Sequence, residues 1–207
     1  MSLALLRCML ATRLTIGLTG AAVAGGMAVA VKRDSTRAID RAIRRRIHPQ
    51  RSPRAMSLAK GVSFLAGPYV HPIAAAVIGI LLRVRGTSGG YGPSAASAGA
   101  LGVDNAMRIF VHQKRPPKAT QHPAHHRYAY PSGHSTAATA IAVATAAELA
   151  KDLPRSRRIL LWTSVASIAI AVGWSRLYLD EHWLDDVVGG LMAGTALGLA
   201  AASLDAP

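Results

Sequence analysis

Six stretches of this chain run for fifteen residues or more with little or no charge: Leu14–Val31, Gly61–Leu82, Pro93–Val111, Ser135–Leu149, Ile159–Gly173 and Val187–Leu204. A helix needs about 20 apolar residues to cross the hydrocarbon layer of a bilayer. Gly61–Leu82 and Leu14–Val31 meet that requirement unaided, and the others meet it by taking in flanking polar groups. No soluble fold of 207 residues needs so many such runs. The expectation is an all-α, polytopic membrane bundle of about six transmembrane helices forming one domain. Its parts are a first transmembrane helix or signal anchor over 1–31, a basic segment over 32–60 and a helical core over 61–204.

Charge is sparse but one-sided. Lys and Arg number 24 against 10 acidic residues, a formal net charge of +14. Much of the excess lies in Lys32–Lys60, which includes Arg41 and the run Arg44-Arg45-Arg46. Ala38, Ile39, Ala42, Ile43 and Ile47 recur there at helical spacing, which predicts an amphipathic helix on the membrane surface, ended by His48-Pro49. The alternative is a solvated basic loop. Such a helix attracts anionic headgroups of membrane lipids. Nucleic acid is not the expected partner, because no aromatic stacking residues are interleaved with the charge. The single cysteine, Cys8, excludes a disulfide framework. Arg7 and Arg13 ahead of an apolar run ending in Ala28-Val29-Ala30 resemble a signal peptide, but the run is long for one and an uncleaved helix is expected.

Ionisable residues inside or at the ends of membrane helices are costly, and their presence points to function. Three clusters stand out. The first is Arg108-Ile-Phe-Val-His-Gln-Lys-Arg115-Pro116, where two arginines seven residues apart share a helix face that Pro116 ends. Two guanidiniums on one face suit a phosphate or carboxylate, although snorkelling cations, or Asp104 as a structural partner one turn before Arg108, account for them equally. The second is Pro131-Ser132-Gly133-His134 at the start of a helix, where unpaired N–H groups form an anion site and Gly133 permits close approach; an ordinary helix cap is the other reading. The third is Ser175-Arg176-Leu-Tyr-Leu-Asp-Glu-His182-Trp-Leu-Asp-Asp186. His182 and Asp186, four residues apart, stack on one face, so the carboxylate can orient an imidazole whose other nitrogen is left to act as base or nucleophile; a plain His–Asp pair at the interface is the other reading, and Asp185 is a competing partner.

In this order and spacing the clusters resemble the three-part signature of the type-2 phosphatidic acid phosphatase family, K-x6-R-P, P-S-G-H and S-R-x5-H-x3-D. The second and third parts match in full, and in the first Arg108 stands where the family usually has lysine. The resemblance implies a metal-independent and cofactor-independent membrane phosphatase acting on a lipid phosphate such as phosphatidic acid, phosphatidylglycerol phosphate or a polyprenyl phosphate or diphosphate. It implies His182 as the nucleophile that becomes phosphohistidine, Asp186 as its orienting carboxylate and His134 as acid and then base. Arg108, Arg115, Ser132, Gly133 and Arg176 become the phosphate-binding set. Transfer of the phosphoryl group to another acceptor, or a non-catalytic scaffold binding anionic lipid through Lys32–Lys60, are the alternatives.

The loop His122-Pro-Ala-His125-His126 is expected to lie near the substrate mouth rather than to bind a metal. Gly190, Gly194 and Gly198, at four-residue spacing, predict close helix packing that carries His182 towards the His134 helix. The resemblance implies a multi-pass protein of the cell (inner) membrane with its site on the extracytoplasmic face, whereas the excess of Lys and Arg in 32–60 favours the opposite orientation. Oligomeric state is left open by the sequence.

Overall fold

The computed structural model describes residues 15, 18, 19, 22, 24–47, 49, 51–87, 90–117 and 128–204. Among them the regular secondary structure is helical, apart from one isolated antiparallel bridge between Lys114 and Tyr128. A helical stretch over 24–32 (α1) is followed by α2 (Arg37–Ile47), α3 (Pro53–Leu65), α4 (Val70–Val84), α5 (Gly92–Phe110), α6 (Gly133–Leu149), α7 (Arg155–Tyr178) and α8 (Leu184–Ser203). Two of these, α7 and α8, are long and apolar enough to cross a membrane, and the bent pair α3–α4 passes the same test when taken together. The residues Arg7, Cys8, Arg13 and the histidines 122, 125 and 126 lie outside the described residues.

Helix α6 is the centre of the bundle, packed against α5, α7 and α8. Its residues are nearly all small, and almost the whole helix is buried. The glycines of α8 lie directly on its backbone, as their spacing predicts. A Cβ on Gly190 would stand 2.8 Å from the carbonyl oxygen of Ser132, one on Gly194 2.5 Å from that of Thr136, and one on Gly198 2.6 Å from that of Ala140. Three consecutive turns of α8 thus track three consecutive turns of α6, with no room for a side chain between them. The Ser132 N–H also donates to the Asp186 carbonyl at 3.0 Å, which ties the start of α6 to the first turn of α8.

Two predicted helices end differently in the structure. Gly61–Leu82 is not one continuous helix: α3 and α4 meet at 58° across residues 66–69. Pro68 has no N–H and disfavours a helical residue before it. The Gly67 N–H turns back to the Phe64 carbonyl, and the Gly67 carbonyl accepts from Val70 and His71, starting a new helix. Likewise Arg108 and Arg115 do not share a helix face, because α5 stops at Phe110 and Val111 is extended (φ −112°, ψ 95°). The strand-like segment that follows is held by the Lys114–Tyr128 bridge and by the indole N–H of Trp183 donating to the Lys114 carbonyl at 2.8 Å.

The basic segment does form a helix, α2, and its faces divide by partner. Ala38, Ile39, Ala42, Arg41, Arg45 and Arg46 are exposed, while Asp40 is buried and Thr36, Ile43, Arg44 and Ile47 are half-buried along the same side. Arg44 forms a two-pronged ion pair with Asp180, at 2.7 and 2.8 Å. Tyr178 accepts the Ser52 N–H at 2.7 Å. The apolar residues therefore divide: Ala38, Ile39 and Ala42 face outward, while Ile43 and Ile47 share the inner side with Asp40 and with Arg44, which fastens the helix to the turn between α7 and α8.

Candidate active site

The three polar clusters meet where the C-terminal end of α7, the N-termini of α6 and α8, and the extended segment after α5 come together. The α7–α8 turn carries the central residue. Asp180 adopts a left-handed conformation (φ 62°), which breaks α7 and sends the chain through Glu181 and His182 into α8. His182 lies just outside α8, and Trp183 is the N-cap. Asp186, at the third helical position, accepts both the Trp183 N–H (2.8 Å) and the Nδ1 of His182 (3.3 Å) through Oδ2. A single carboxylate oxygen therefore caps the helix and fixes the imidazole. With Nδ1 as the donor, Nε2 carries the lone pair.

That nitrogen faces Arg115, whose Nη1 lies 3.3 Å from Nε2 and also donates to the Glu181 carbonyl at 2.7 Å. The Glu181 carboxylate lies 3.6 Å from Arg115 and 3.8 Å from Arg176. Arg176, buried on the last turn of α7, donates to the Ser63 hydroxyl of α3. Two guanidiniums thus converge beside the free nitrogen of His182. Burial first, and then the positive charges of Arg115, Arg176, His134 and Arg108, hold His182 well below the ordinary histidine range. Burial likewise lowers Arg115 from its usual value. His134 belongs to the same electrostatic cluster, with Arg176, His71, Arg115 and Arg108 acting on it. The α3–α4 elbow covers it: a Cβ on Gly67 would be 3.8 Å from its Nε2.

Ser132 is fully buried and its side chain makes no cap bond to the α6 backbone. Instead its hydroxyl accepts from Ser135 Oγ at 3.1 Å, leaving its own proton to donate. Gly133 opens α6, and a Cβ there would lie 3.2 Å from the Asp104 carboxylate. Asp104 thus stands at a helix N-terminus, where negative charge is favoured. It is also the partner of Arg108, which donates through Nη2 to both carboxylate oxygens at 2.9 Å and through Nη1 to the Tyr128 carbonyl at 2.6 Å. Arg108 is thus held on two sides, with its buried Nε left without a bond.

All eight residues singled out in the sequence lie in or beside this cluster, Arg115 by way of an extended segment rather than a helix. Sequence reasoning missed the residues that hold them. Ser63 supports Arg176. Glu181 lies between two arginines. Asp40 and Gln113 surround Asp185, which accepts from Gln113 Nε2 at 2.9 Å. Glu181 is adjacent to His182 and inside the third cluster, so its charge was a usable signal. Ser63 and Asp40 carried none, because their partners lie 113 and 145 residues away.

Comparisons with known proteins point the same way. The sequence profile of the PAP2 superfamily matches residues 91–206, more than half of the chain and all three clusters. Phosphatidylglycerophosphatase B of Bacillus subtilis (strain 168) is 36% identical over 72 residues. That alignment takes in 34% of this chain and 36% of the relative, so it spans well under two thirds of the relative's length. The structure is similar to the crystal structure of a transmembrane PAP2-type phosphatidylglycerolphosphate phosphatase from Bacillus subtilis, with a TM-score of 0.80 at 23% identity over 91% of this chain and 95% of the other. The shared fold is that of a membrane protein.

Proposed function

Because this chain belongs to the PAP2 superfamily, we propose that it is an integral-membrane lipid-phosphate phosphatase working through a phosphohistidine on His182. One observation carries the reading: His182 has Nδ1 fixed on the Asp186 carboxylate and Nε2 turned towards Arg115. That is the tautomer and orientation a nitrogen nucleophile needs.

On this reading the chemistry divides between the two histidines. Nε2 of His182 attacks phosphorus, and the bond from phosphorus to the lipid oxygen breaks. His134 gives its proton to the departing oxygen. The new phosphohistidine carries positive charge on its ring, and Asp186 stabilises it through Nδ1–H. A water then loses a proton to His134 and attacks phosphorus. The P–N bond breaks, inorganic phosphate leaves, and both histidines return to their starting states. Arg115, Arg176 and Arg108, with the Ser132 hydroxyl and the Gly133 N–H, bind the phosphoryl oxygens and the charge that develops on them. Three guanidiniums supply the positive charge that a divalent cation supplies in other phosphatases.

The substrate is a lipid phosphate presented at the bilayer edge. The partial match to a phosphatidylglycerophosphatase makes phosphatidylglycerol phosphate the first member of the class to assay, ahead of phosphatidic acid and polyprenyl phosphates. From the family resemblance we infer that the protein lies in the cell (inner) membrane with the site on the extracytoplasmic face. The test is phosphate release by purified protein in detergent containing EDTA. Turnover that survives EDTA and disappears in His182→Ala and His134→Ala supports the reading; turnover retained by His182→Ala overturns it.

A further inference from the structure

Behind the His182–Asp186 pair lies a second set of buried carboxyls that the reaction does not use. Asp185, next to Asp186 in the first turn of α8, has both carboxylate oxygens occupied. Thr36 Oγ1 donates to Oδ2 at 2.6 Å and Gln113 Nε2 donates to Oδ1 at 2.9 Å. Both of its acceptor atoms are therefore engaged. Its backbone N–H, one of the open donors at the start of α8, donates to Oδ1 of Asp40 at 3.2 Å. Asp40 reaches in from the surface helix α2 and is only 2% exposed. Its other oxygen, Oδ2, is buried with no hydrogen-bond partner.

Two ionised carboxylates side by side, with Asp186 a residue further on, are not a stable buried arrangement. A proton on Asp40 resolves it. It removes one charge and turns the orphaned oxygen into a donor beside the Asp185 carboxylate. On the reading of His182 as nucleophile, we infer that Asp40 is a positioning residue that holds this shared proton and so braces the turn of α8 from which Asp186 orients His182. The bridge is mechanical as well as electrostatic. Asp40, Arg44, Asp180, His182 and Trp183 line one small cavity, so α2 backs directly onto the nucleophile's turn.

The surroundings favour the protonated form near neutrality. Burial and the adjacent Asp185 carboxyl raise the Asp40 carboxyl to about 7, while the Asp185 N–H that it accepts, and then Arg37, pull it down. The charged groups facing it are Asp185 and Asp186 on α8, Asp180 and His182 in the turn, and Arg37 and Arg44 on its own helix. The sign follows directly. An acid whose folded pKa is raised from 3.8 to about 7 stays protonated in the folded protein through that window, and its ionisation as pH rises past about 7 sets the second buried charge against Asp185. The brace loosens on the alkaline side.

The test uses the full-length protein in detergent, with wild type active and His182→Ala inactive as the controls for the underlying mechanism. Asn at position 40 reproduces the protonated acid, with an acceptor for the Asp185 N–H and a donor for its carboxylate. Asp40→Asn is expected to keep kcat within about twofold of wild type at pH 6 and to hold activity to a pH about one unit higher on the alkaline limb. Asp40→Ala is expected to lower kcat about tenfold or more with KM little changed, since Asp40 touches no substrate. If Asp40→Asn is as impaired as Asp40→Ala, or if its alkaline limb coincides with that of wild type, the shared proton is wrong. If Asp40→Ala has wild-type kcat, so is the brace. Should Asp40→Ala fail to fold, the pH profiles of wild type and Asp40→Asn decide the question by themselves.

Discussion

Substituting Gly190 by alanine tests whether the two halves of the site are held in register by the contact between α6 and α8. The added methyl would stand 2.8 Å from the Ser132 carbonyl oxygen, 3.1 Å from Ser135 Cβ and 3.1 Å from Thr136 Oγ1. The closest of these is backbone and cannot rotate away. Opening that contact from 2.8 Å to an ordinary 3.4 Å moves Ser132 and the start of α6 by about 0.6 Å relative to α8. Ser132, Gly133 and His134 ride on α6, whereas His182 and Asp186 ride on α8, so the shift opens the nucleophile–phosphate–acid alignment. A misplacement of about 1 Å in reacting geometry costs roughly 100-fold in rate. We expect Gly190→Ala to lower kcat by about 10- to 100-fold on that scale. Gly198→Ala is the control. Its methyl would meet the Ala140 carbonyl at 2.6 Å, two turns away from the site. Overpacking of that kind costs about 1–3 kcal/mol, so Gly198→Ala should lower the Tm in detergent while sparing kcat in the folded fraction. Both variants are assayed by phosphate release per folded protein. A Gly190→Ala enzyme with wild-type kcat, or equal kcat losses in the two variants, refutes the argument that this contact sets the catalytic register.

Other predictions follow from the same geometry. Because burial and the surrounding arginines push His182 down, it stays neutral as pH falls through 6.5, so the acid limb of kcat/KM lies below that value. The unfolded chain takes up a proton there that the folded one refuses, so Tm falls with pH below 6.5 in wild type and falls less in His182→Ala; an acid limb at or above 6.5 contradicts this. Arg108→Lys keeps the charge but cannot hold both Asp104 and the Tyr128 carbonyl; with about 1–1.5 kcal/mol lost in a hydrogen bond, kcat/KM should drop roughly tenfold, and an unchanged value would mean the fork is dispensable. A reporter fused after Pro207 should report from the cytoplasm, and a periplasmic signal would reverse the placement of the site.

What the sequence revealed, and what it hid, divides along physical lines. That His134, His182, Asp186 and Arg176 form one polar cluster was legible because each sits at a helix end, within a few residues of other polar groups, in a chain where charge is sparse. The close contact of α8 with α6 was legible as well, since glycines at four-residue spacing leave a backbone open along one face. The elbow in α3–α4 was harder to see: Gly67-Pro68 is a turn signal, but hydropathy averaged over a long window runs straight across it. The early end of α5 is hidden in the sequence: Pro116 is the local stop signal, whereas the extended Val111 and the Lys114–Tyr128 bridge end the helix sooner. Least legible was α2. Its apolar spacing predicted a face laid on the membrane but not which residue turns inward: Ile39 is 60% exposed, and Asp40 is the residue that goes in. Nothing local marks an aspartate as buried when its partner is a backbone N–H 145 residues away.

The account rests on His182 as the atom that takes the phosphoryl group, and trapping that intermediate tests it most directly. Wild-type protein mixed with a phosphorus-labelled lipid phosphate, quenched rapidly in alkali and mapped by peptide should carry an acid-labile, alkali-stable phosphate on His182, absent from His182→Ala. Label found on another side chain, or equal label in His182→Ala, would contradict it.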